Sequence, residues 1–526
     1  MKIGKYTIWL ILLTNIIIFG LINWGLPIRF EENDDIIMCL IANGGYTGAP
    51  DCHLVFINAL YGSILAWLYT IIPTIEWYTV SFFILHIVSI TCIVYLVAIK
   101  SKRSTIVKLV WLSFIYILWM QMILSLQFTT TAGITTIAGC WLMCQNTRKN
   151  NLLGGLLIII ASMLRFHIVG LIVLMFIPVY IFQFHLEFKR YIPLIIVGMV
   201  VFSVKFIDNS FYQSPEWKYF KEYNYIRGQL NDNPNADKQY VYDNLPNGIE
   251  KADYDMLLNF MADPAVMDLK TIKVIFLGLK KVSLKEKINN VCTLRLYFSI
   301  ILLLLCLTVL LLVNSTKNEK AYLVLLCLLF CCIAVGISMN GTLKNRVFLC
   351  MLLSIMIGYY QIATQDKASR CIILLCIFCV VMLMNGKLAK RVIWTSNAIE
   401  RKILLWNEVD TLLKTTVQNE NYVMSIGADM LIEGMSVHKV RIPNYRMIGI
   451  GWLTSIPFNA GIFDTYMDLT RDDIYIVSRN ENTTVGQLQS LILNNYLLYT
   501  REKIIASSEH YKIIKLIPMD YEHPIQ

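Results

Sequence analysis

The chain has 526 residues, of which 56% are hydrophobic and only 16% charged, with a formal net charge of +10. A mean hydropathy of +0.57 lies outside the range of ordinary soluble domains and excludes a single water-soluble globule. The basic excess does not point to nucleic acid, because Lys and Arg fall in short clusters between apolar runs instead of forming one stripe.

Met1 to Asn23 opens with Lys2 and Lys5 and then turns apolar. With no small-x-small cleavage site before Arg29, it reads as a retained signal anchor. A polar loop from Arg29 to Leu54 follows and holds Glu31-Glu32-Asn33-Asp34-Asp35, a Gly-rich turn at Asn43 to Gly48, and Asp51-Cys52-His53. The next apolar run, Val55 to Ile72, carries Asn58, Gly62 and Ser63 and ends at Pro73, which suits a juxtamembrane or re-entrant helix.

Cytoplasmic loops collect Lys and Arg. The clusters Lys2/Lys5, Lys100/Lys102/Arg103/Lys108, Arg148/Lys149, Lys189/Arg190, Lys317/Lys320 and Lys367/Arg370 all fall inside under one condition. Val55 to Ile72 must not cross, and Leu152 to Phe184 must be two short helices that turn near Arg165 to His167. The expected fold is therefore a polytopic α-helical membrane protein with about eleven crossings. Residues 1–386 form the membrane module, with outer loops at 29–54 and 208–290. Residues 387–526 form an extracytoplasmic domain, opposite a cytoplasmic N-terminus in the inner or plasma membrane. Lys387, Lys390 and Arg391 argue mildly against that placement, and a single helix over 152–184 would reverse it.

The tail alternates strand-like runs (Tyr422 to Ile426, Asp473 to Val477, Tyr511 to Leu516) with amphipathic patterns at Ile399 to Val417 and Val485 to Tyr499, the mark of a small α/β domain. Fourteen cysteines lie at or before Cys379, mostly in apolar runs where a buried thiol is the ordinary state. Only Cys39 and Cys52 share a polar loop and offer a disulfide pair.

A run of acids is usually a solvated collar. Here the acids are contiguous, a Gly-rich turn follows, and polar groups recur at membrane depth in the next segment. Arg165 in Ser162-Met163-Leu164-Arg165-Phe166-His167 is an ionisable group inside an apolar stretch: either a helix-turn Arg reaching the interface, or a bidentate phosphate donor. Lys344 and Arg346, in a short outer loop, are either interface anchors or a second cationic pair. Arg227 stands in the long loop among Trp217, Tyr219 and Phe220, which are either an interfacial belt or faces for sugar rings. Asp253 and Asp255 are candidate second acids. No HExxH, Cys/His zinc spacing, P-loop or Gly-x-Ser-x-Gly elbow occurs.

An acidic motif in the first extracytoplasmic loop, matched by Glu32-Asn33-Asp34 and Asp34-Asp35, resembles that of GT-C glycosyltransferases, including the GT-C-like membrane proteins of bacterial surface-polysaccharide synthesis. About eleven spans, a juxtamembrane segment after that loop and an extracytoplasmic C-terminal domain extend the resemblance over the whole chain. It implies a transferase that moves a sugar from a polyprenyl-phosphate or -diphosphate donor to a surface glycan or glycolipid. In that reading Asp34 is the general base and Asp35 or Glu32 its alternative or a metal ligand, with a divalent cation (Mg or Mn) held by Asp34 and Asp35 if one is used. Arg165, Lys344, Arg346 and Arg227 would bind the donor phosphate. An O-antigen-type polymerase or ligase, which would rely on Arg227, and a lipid-linked oligosaccharide flippase are the rival readings.

Overall fold

The computed structural model describes residues 3–519 apart from 102, 186, 234–235, 280–282, 314, 363–375, 377–386, 419, 427–430 and 443–444. Lys102, Lys367, Arg370 and nearly all of the last expected span before Lys387 lie outside the described residues.

The chain opens with α1 (Ile3–Gly25), β1 (Arg29–Phe30), α2 (Asn33–Ala42), α3 (Ala59–Ile71), α4 (Trp77–Tyr95), α5 (Thr105–Leu124) and β2 (Ser125–Leu126). It continues through α6 (Phe128–Met143), α7 (Arg148–Leu164), α8 (Phe166–Phe184) and α9 (Phe188–Phe211). The expected long loop is helical, with α10 (Pro215–Asn231), α11 (Lys238–Asp243), α12 (Lys251–Leu258), α13 (Leu269–Leu277) and α14 (Leu284–Asn290). Three apolar helices follow: α15 (Phe298–Leu312), α16 (Lys317–Asn340) and α17 (Asn345–Ile362). Among the described residues seven helices (α1, α4, α5, α8, α9, α16 and α17) are long and apolar enough to cross a bilayer, or eight if the bent segment Leu284–Leu312 is one span. The chain is an integral membrane protein.

Helix α6 lies at the centre. It carries no charge, and every one of its 16 residues is buried. Its threonines place their hydroxyls on the preceding turn: Thr135 Oγ1 donates to the Thr131 carbonyl (2.7 Å) and Thr136 Oγ1 to Ala132 (2.7 Å), so these hydroxyls are not stranded in the apolar interior. Small residues bring α7 against it. A Cβ on Gly139 would fall 2.7 Å from the Gly154 carbonyl oxygen, and one on Gly154 would fall 2.6 Å from that of Gly139, a backbone approach that only small residues allow.

These contacts also orient the pair. Met143, at the end of α6, meets Gly154 near the start of α7, so the two run antiparallel. Gly133 faces Ile168 early in α8, and the Tyr180 hydroxyl donates to the Cys140 carbonyl (3.1 Å) late in it, so α8 runs with α6. The stretch Leu152 to Phe184 is thus two antiparallel helices reversing at Arg165, as expected. The run Val55 to Ile72 yields the 13-residue α3, roughly 20 Å long and too short to span. Its N-terminus is held by bonds from the Asn58 amide to the Met163 carbonyl (2.8 Å) and from the Ala59 amide to Asp208 Oδ1 (2.9 Å).

The tail begins with α18 (Lys387–Thr416) and continues through β3 (Tyr422–Ser425), β4 (Arg446–Ile448), β5 (Ile474–Arg479), α19 (Thr484–Tyr496), β6 (Thr500–Ser507) and β7 (Tyr511–Pro518). The sheet order is β4-β3-β5-β7-β6, with β4, β3 and β5 parallel and β5, β7 and β6 antiparallel. Strand alternation divides its faces. Val423, Tyr475, Val477 and Ile513 pack with Val409 and Leu413 of α18, while Met424, Ile476, Ile514 and Leu516 pack with Leu488 and Leu491 of α19. The three anticipated strands and two helices form; β4 and β6 are additional. Between β3 and β5 the chain returns to the bundle, where Met435, Val437, Val440, Leu453 and Ile456 join the membrane-module core.

The pair offered by Cys39 and Cys52 is not bonded, and both thiols are free. Cys39 sits on the buried face of α2, its Sγ 3.6 Å from the Tyr69 hydroxyl and 3.8 Å from Glu76 Oε2, while Cys52 lies against Gly62 of α3.

Gly154→Leu should cost about 1–3 kcal/mol through overpacking, read as a lowered melting temperature in detergent. Gly198→Ala, where nothing lies within 4 Å of the added carbon, should leave melting near that of the wild type.

Candidate active site

The acidic loop is not a solvated collar. Parallel pairing of Arg29 with Ser125 and Phe30 with Leu126, and a bond from the Glu31 amide to the Leu126 carbonyl (3.0 Å), hold it at the start of α6. The acids then enter α2, with Asp34 and Asp35 in its first turn, where the partial positive charge of the helix N-terminus favours carboxylates. From Asp35 to Ala42 every residue is buried.

Neighbouring residues on a helix point about 100° apart, and here the two aspartates separate in role. Asp35 is fully buried. Its Oδ1 accepts from the Tyr78 hydroxyl (2.8 Å) and from the Phe128 amide at the start of α6 (3.2 Å), while Oδ2 has no partner. Burial, set against the Tyr78 bond and added to by the nearby Asp34 charge, pushes its carboxyl well above the usual range. Asp35 thus ties the first turn of α2 to α4 and to the start of α6.

Asp34 is half-buried and faces the cations. Burial and then the Glu32 charge raise its carboxyl above the usual value, while Arg346, the Trp452 indole and Arg165 pull it back. Trp452 Nε1 is buried, with no partner in hydrogen-bond geometry. Arg346 pairs with Glu32. Arg165 caps the end of α7 in extended conformation (φ −155°, ψ 95°), and its guanidinium lies over the rings of Phe128 (5.2 Å) and Phe56 (5.9 Å). Among the described residues no carboxylate forms an ion pair with it.

Arg227, on α10, is buried. Nε donates to Asn224 Oδ1 (3.1 Å) and Nη2 to Asp232 Oδ2 (3.4 Å), while Nη1 has no partner. Burial lowers its pKa, against the pull of Asp232 and, at longer range, Asp34.

Glu32, Asp34, Arg165 and Arg346 thus lie together, with Arg227 at longer range, and other candidates do not join them. Lys344 is exposed, and its backbone carbonyl accepts the first amides of α17. Asp253 caps α12 by accepting from the Glu250 amide (3.2 Å) and accepts from Asn495 of the tail (3.0 Å), and Asp255 is exposed. Of the aromatic group, Trp217 and Phe220 are buried, Trp217 stacking on His53 (4.5 Å, 14°), while Tyr219 is exposed. Of the Asp34/Asp35 pair, Asp35 Oδ1 already accepts from two donors, while its Oδ2 has no partner and Asp34 is half-buried.

Trp452 was missed by sequence reasoning. It stands in Gly449-Ile450-Gly451-Trp452-Leu453, a stretch with no period, and reaches the site because the Gly451 amide bonds to the Phe260 carbonyl (2.6 Å). Two further links join the first loop to the tail: the Tyr46 hydroxyl donates to Asn459 Oδ1 (2.7 Å), and Asn43 Nδ2 donates to the Val440 carbonyl (2.7 Å).

No protein-family model and no curated protein matches the chain. Among solved structures it is similar to ArnT from Cupriavidus metallidurans in the apo state, with a TM-score of 0.45 at 10% identity, covering 97% of this chain and 98% of that one. It is also similar to ArnT from the same organism bound to undecaprenyl phosphate, with a TM-score of 0.38 at 10% identity, covering 98% and 97%.

A raised carboxyl pKa means that the folded chain holds a proton the unfolded chain has released. Asp34 ionisation therefore weakens the fold as pH rises from the ordinary aspartate value through the raised one, and the loss is complete above it. Asp34→Asn should accordingly melt higher than wild type near neutral pH, with the difference shrinking below the ordinary aspartate pKa; melting curves in detergent across that range check this.

Proposed function

We propose that the protein is a membrane glycosyltransferase that moves a sugar from a polyprenyl-phosphate-linked donor to a hydroxyl of a glycan or glycolipid acceptor on the extracytoplasmic face. The observation that carries this reading is Arg165: a guanidinium at a helix break inside the bundle, stacked on aromatic faces, beside Asp34 and without an ion-pair partner among the described residues. An intramembrane cation held in that way suits an anion arriving from the lipid phase.

In this mechanism the acceptor oxygen forms a bond to the anomeric carbon as the bond from that carbon to the phosphate oxygen breaks. Asp34 takes the acceptor proton. Its raised pKa improves it as a base, because proton transfer is most effective when the catalytic pKa approaches the working pH. The departing phosphate gains charge, which Arg165 and Arg346 neutralise, joined by the free Nη1 of Arg227 and the Trp452 N–H. Glu32 holds Arg346 in place, and Asp35 fixes the start of α2.

The test is incubation of purified protein with radiolabelled polyprenyl-phosphate sugars and a membrane lipid extract. Asp34→Asn should lower transfer by at least about 100-fold, Arg165→Gln should raise KM for the donor, and Lys344→Gln should leave transfer near wild type. Wild-type transfer by Asp34→Asn would overturn the assignment, and dependence on Arg227 alone would favour the polymerase or ligase. Transbilayer movement of a lipid-linked glycan with no transfer from any donor would favour the flippase.

Sidedness has a separate check. A cysteine placed at the exposed Glu509 should react with a membrane-impermeant maleimide in intact cells; labelling only after the cytoplasm is opened would reverse the topology.

A further inference from the structure

A second cluster of chemically capable side chains lies at the other end of α2. Asp51, Cys52 and His53 each offer one donor atom, and the three atoms lie within 4.8 Å of one another. His53 Nδ1 is 2.8 Å from Asp51 Oδ1 and 3.6 Å from Cys52 Sγ. All three residues are half-buried, so the cluster is reachable from solvent.

The surroundings hold the donors in place. His53 Nε2 donates to the Phe211 carbonyl at the end of α9 (3.2 Å), and that bond directs the Nδ1 lone pair of neutral His53 toward Asp51 and Cys52. A backbone carbonyl accepting the remote N–H is the usual outer partner of a metal-bound imidazole. The ring is clamped by Trp217 stacked at 4.5 Å and 14° and by Tyr212 edge-on at 5.1 Å and 84°. The backbone is equally fixed: the Asp51 amide bonds to the Ile41 carbonyl (3.1 Å), the His53 amide to Asp51 Oδ1 (2.8 Å), and the Leu54 amide to the Cys52 carbonyl (2.9 Å). Gly62 of α3 allows the Cys52 carbonyl to lie where a Cβ would be 2.2 Å from it.

We propose that Asp51, Cys52 and His53 form a binding site for a zinc-class divalent cation, with one coordination position left to water. One thiolate, one imidazole and one carboxylate form a donor set that suits zinc and discriminates against Mg and Ca, which prefer all-oxygen shells. Metal binding replaces any proton on His53 Nδ1 and the Cys52 thiol proton, which pass to solvent. Seven residues of helix, about 10 Å along the axis, separate Asp34 from Ile41, whose carbonyl anchors Asp51. The bound cation therefore clamps the first loop to α9 and α10 and takes no part in chemistry at Asp34.

The test uses full-length protein purified in detergent, equilibrated with zinc and then dialysed. Elemental analysis should find about one zinc per chain, lost in Cys52→Ser and retained in Cys292→Ser. In the wild-type chain zinc should protect Cys52 from maleimide, followed by peptide mass analysis, and a chelator should restore labelling; this measurement stands even where the variant fails to fold. Zinc held equally by Cys52→Ser, no zinc in wild type, or Cys52 labelling indifferent to zinc would overturn the site.

Discussion

One oxygen of Asp35 gathers three parts of the protein. By accepting from the Tyr78 hydroxyl and the Phe128 amide, it joins the first turn of α2 to α4 and to the N-terminus of α6. A buried polar group left without such partners would cost on the order of 1–3 kcal/mol, so the three elements are held in one arrangement. That arrangement sets the direction of the next side chain back along α2. Asp34 cannot turn inward, where Asp35 already sits, and is directed toward the break at Arg165. The Glu31 bond to Leu126 and the β1–β2 pairing act in the same sense.

Around Asp34 the charges come from widely separated parts of the chain. Arg165 comes from a helix reversal, Arg346 from the first turn of α17, Arg227 from α10, and the Trp452 N–H from the tail. Each of these elements has its own structural reason to be there. Helices α7 and α8 must reverse within one residue, and the extended backbone at Arg165 achieves this. The tail returns to the bundle through Val437, Val440 and Leu453, which need apolar cover and find it in the main core. Because no single segment contains the site, loosening the packing of the tail would disturb the electrostatics of the first loop without touching an acid.

Legibility in the sequence follows the physics that acts locally. Hydropathy marked the apolar helices, charge bookkeeping required the reversal near Arg165 and the short helix after the first loop, and apolar strand-like runs marked β3, β5 and β7. These signals rest on neighbours in the chain. The difference between Lys344 and Arg346 does not: the two stand two residues apart, and only the direction of the first turn of α17 turns one to Glu32 and the other to solvent. Likewise the separate roles of Asp34 and Asp35 depend on what α4 and α6 place beside them. Trp452 carried no signal, since its neighbours follow no period and its partners lie on other elements. Asp253 and Arg227 looked alike as polar groups in a long loop, yet one bonds to Asn495 of the tail while the other is buried on α10 against Asn224 and Asp232.

The balance between acid and base at the site follows from this division. Were Asp35 ionised, two adjacent negative charges would add to Glu32, and the cations would be drawn into permanent pairs. Burial raises the Asp35 carboxyl pKa, Glu32 pairs with Arg346, and among the described residues Asp34 forms no closed ion pair with Arg165. Arg165 then rests on Phe56 and Phe128, faces that stabilise a cation without neutralising it. A guanidinium in that state keeps its capacity for an incoming anion, and a carboxylate beside it with a raised pKa keeps its capacity for a proton. In the proposed reaction both properties draw on the neighbouring aspartate being buried.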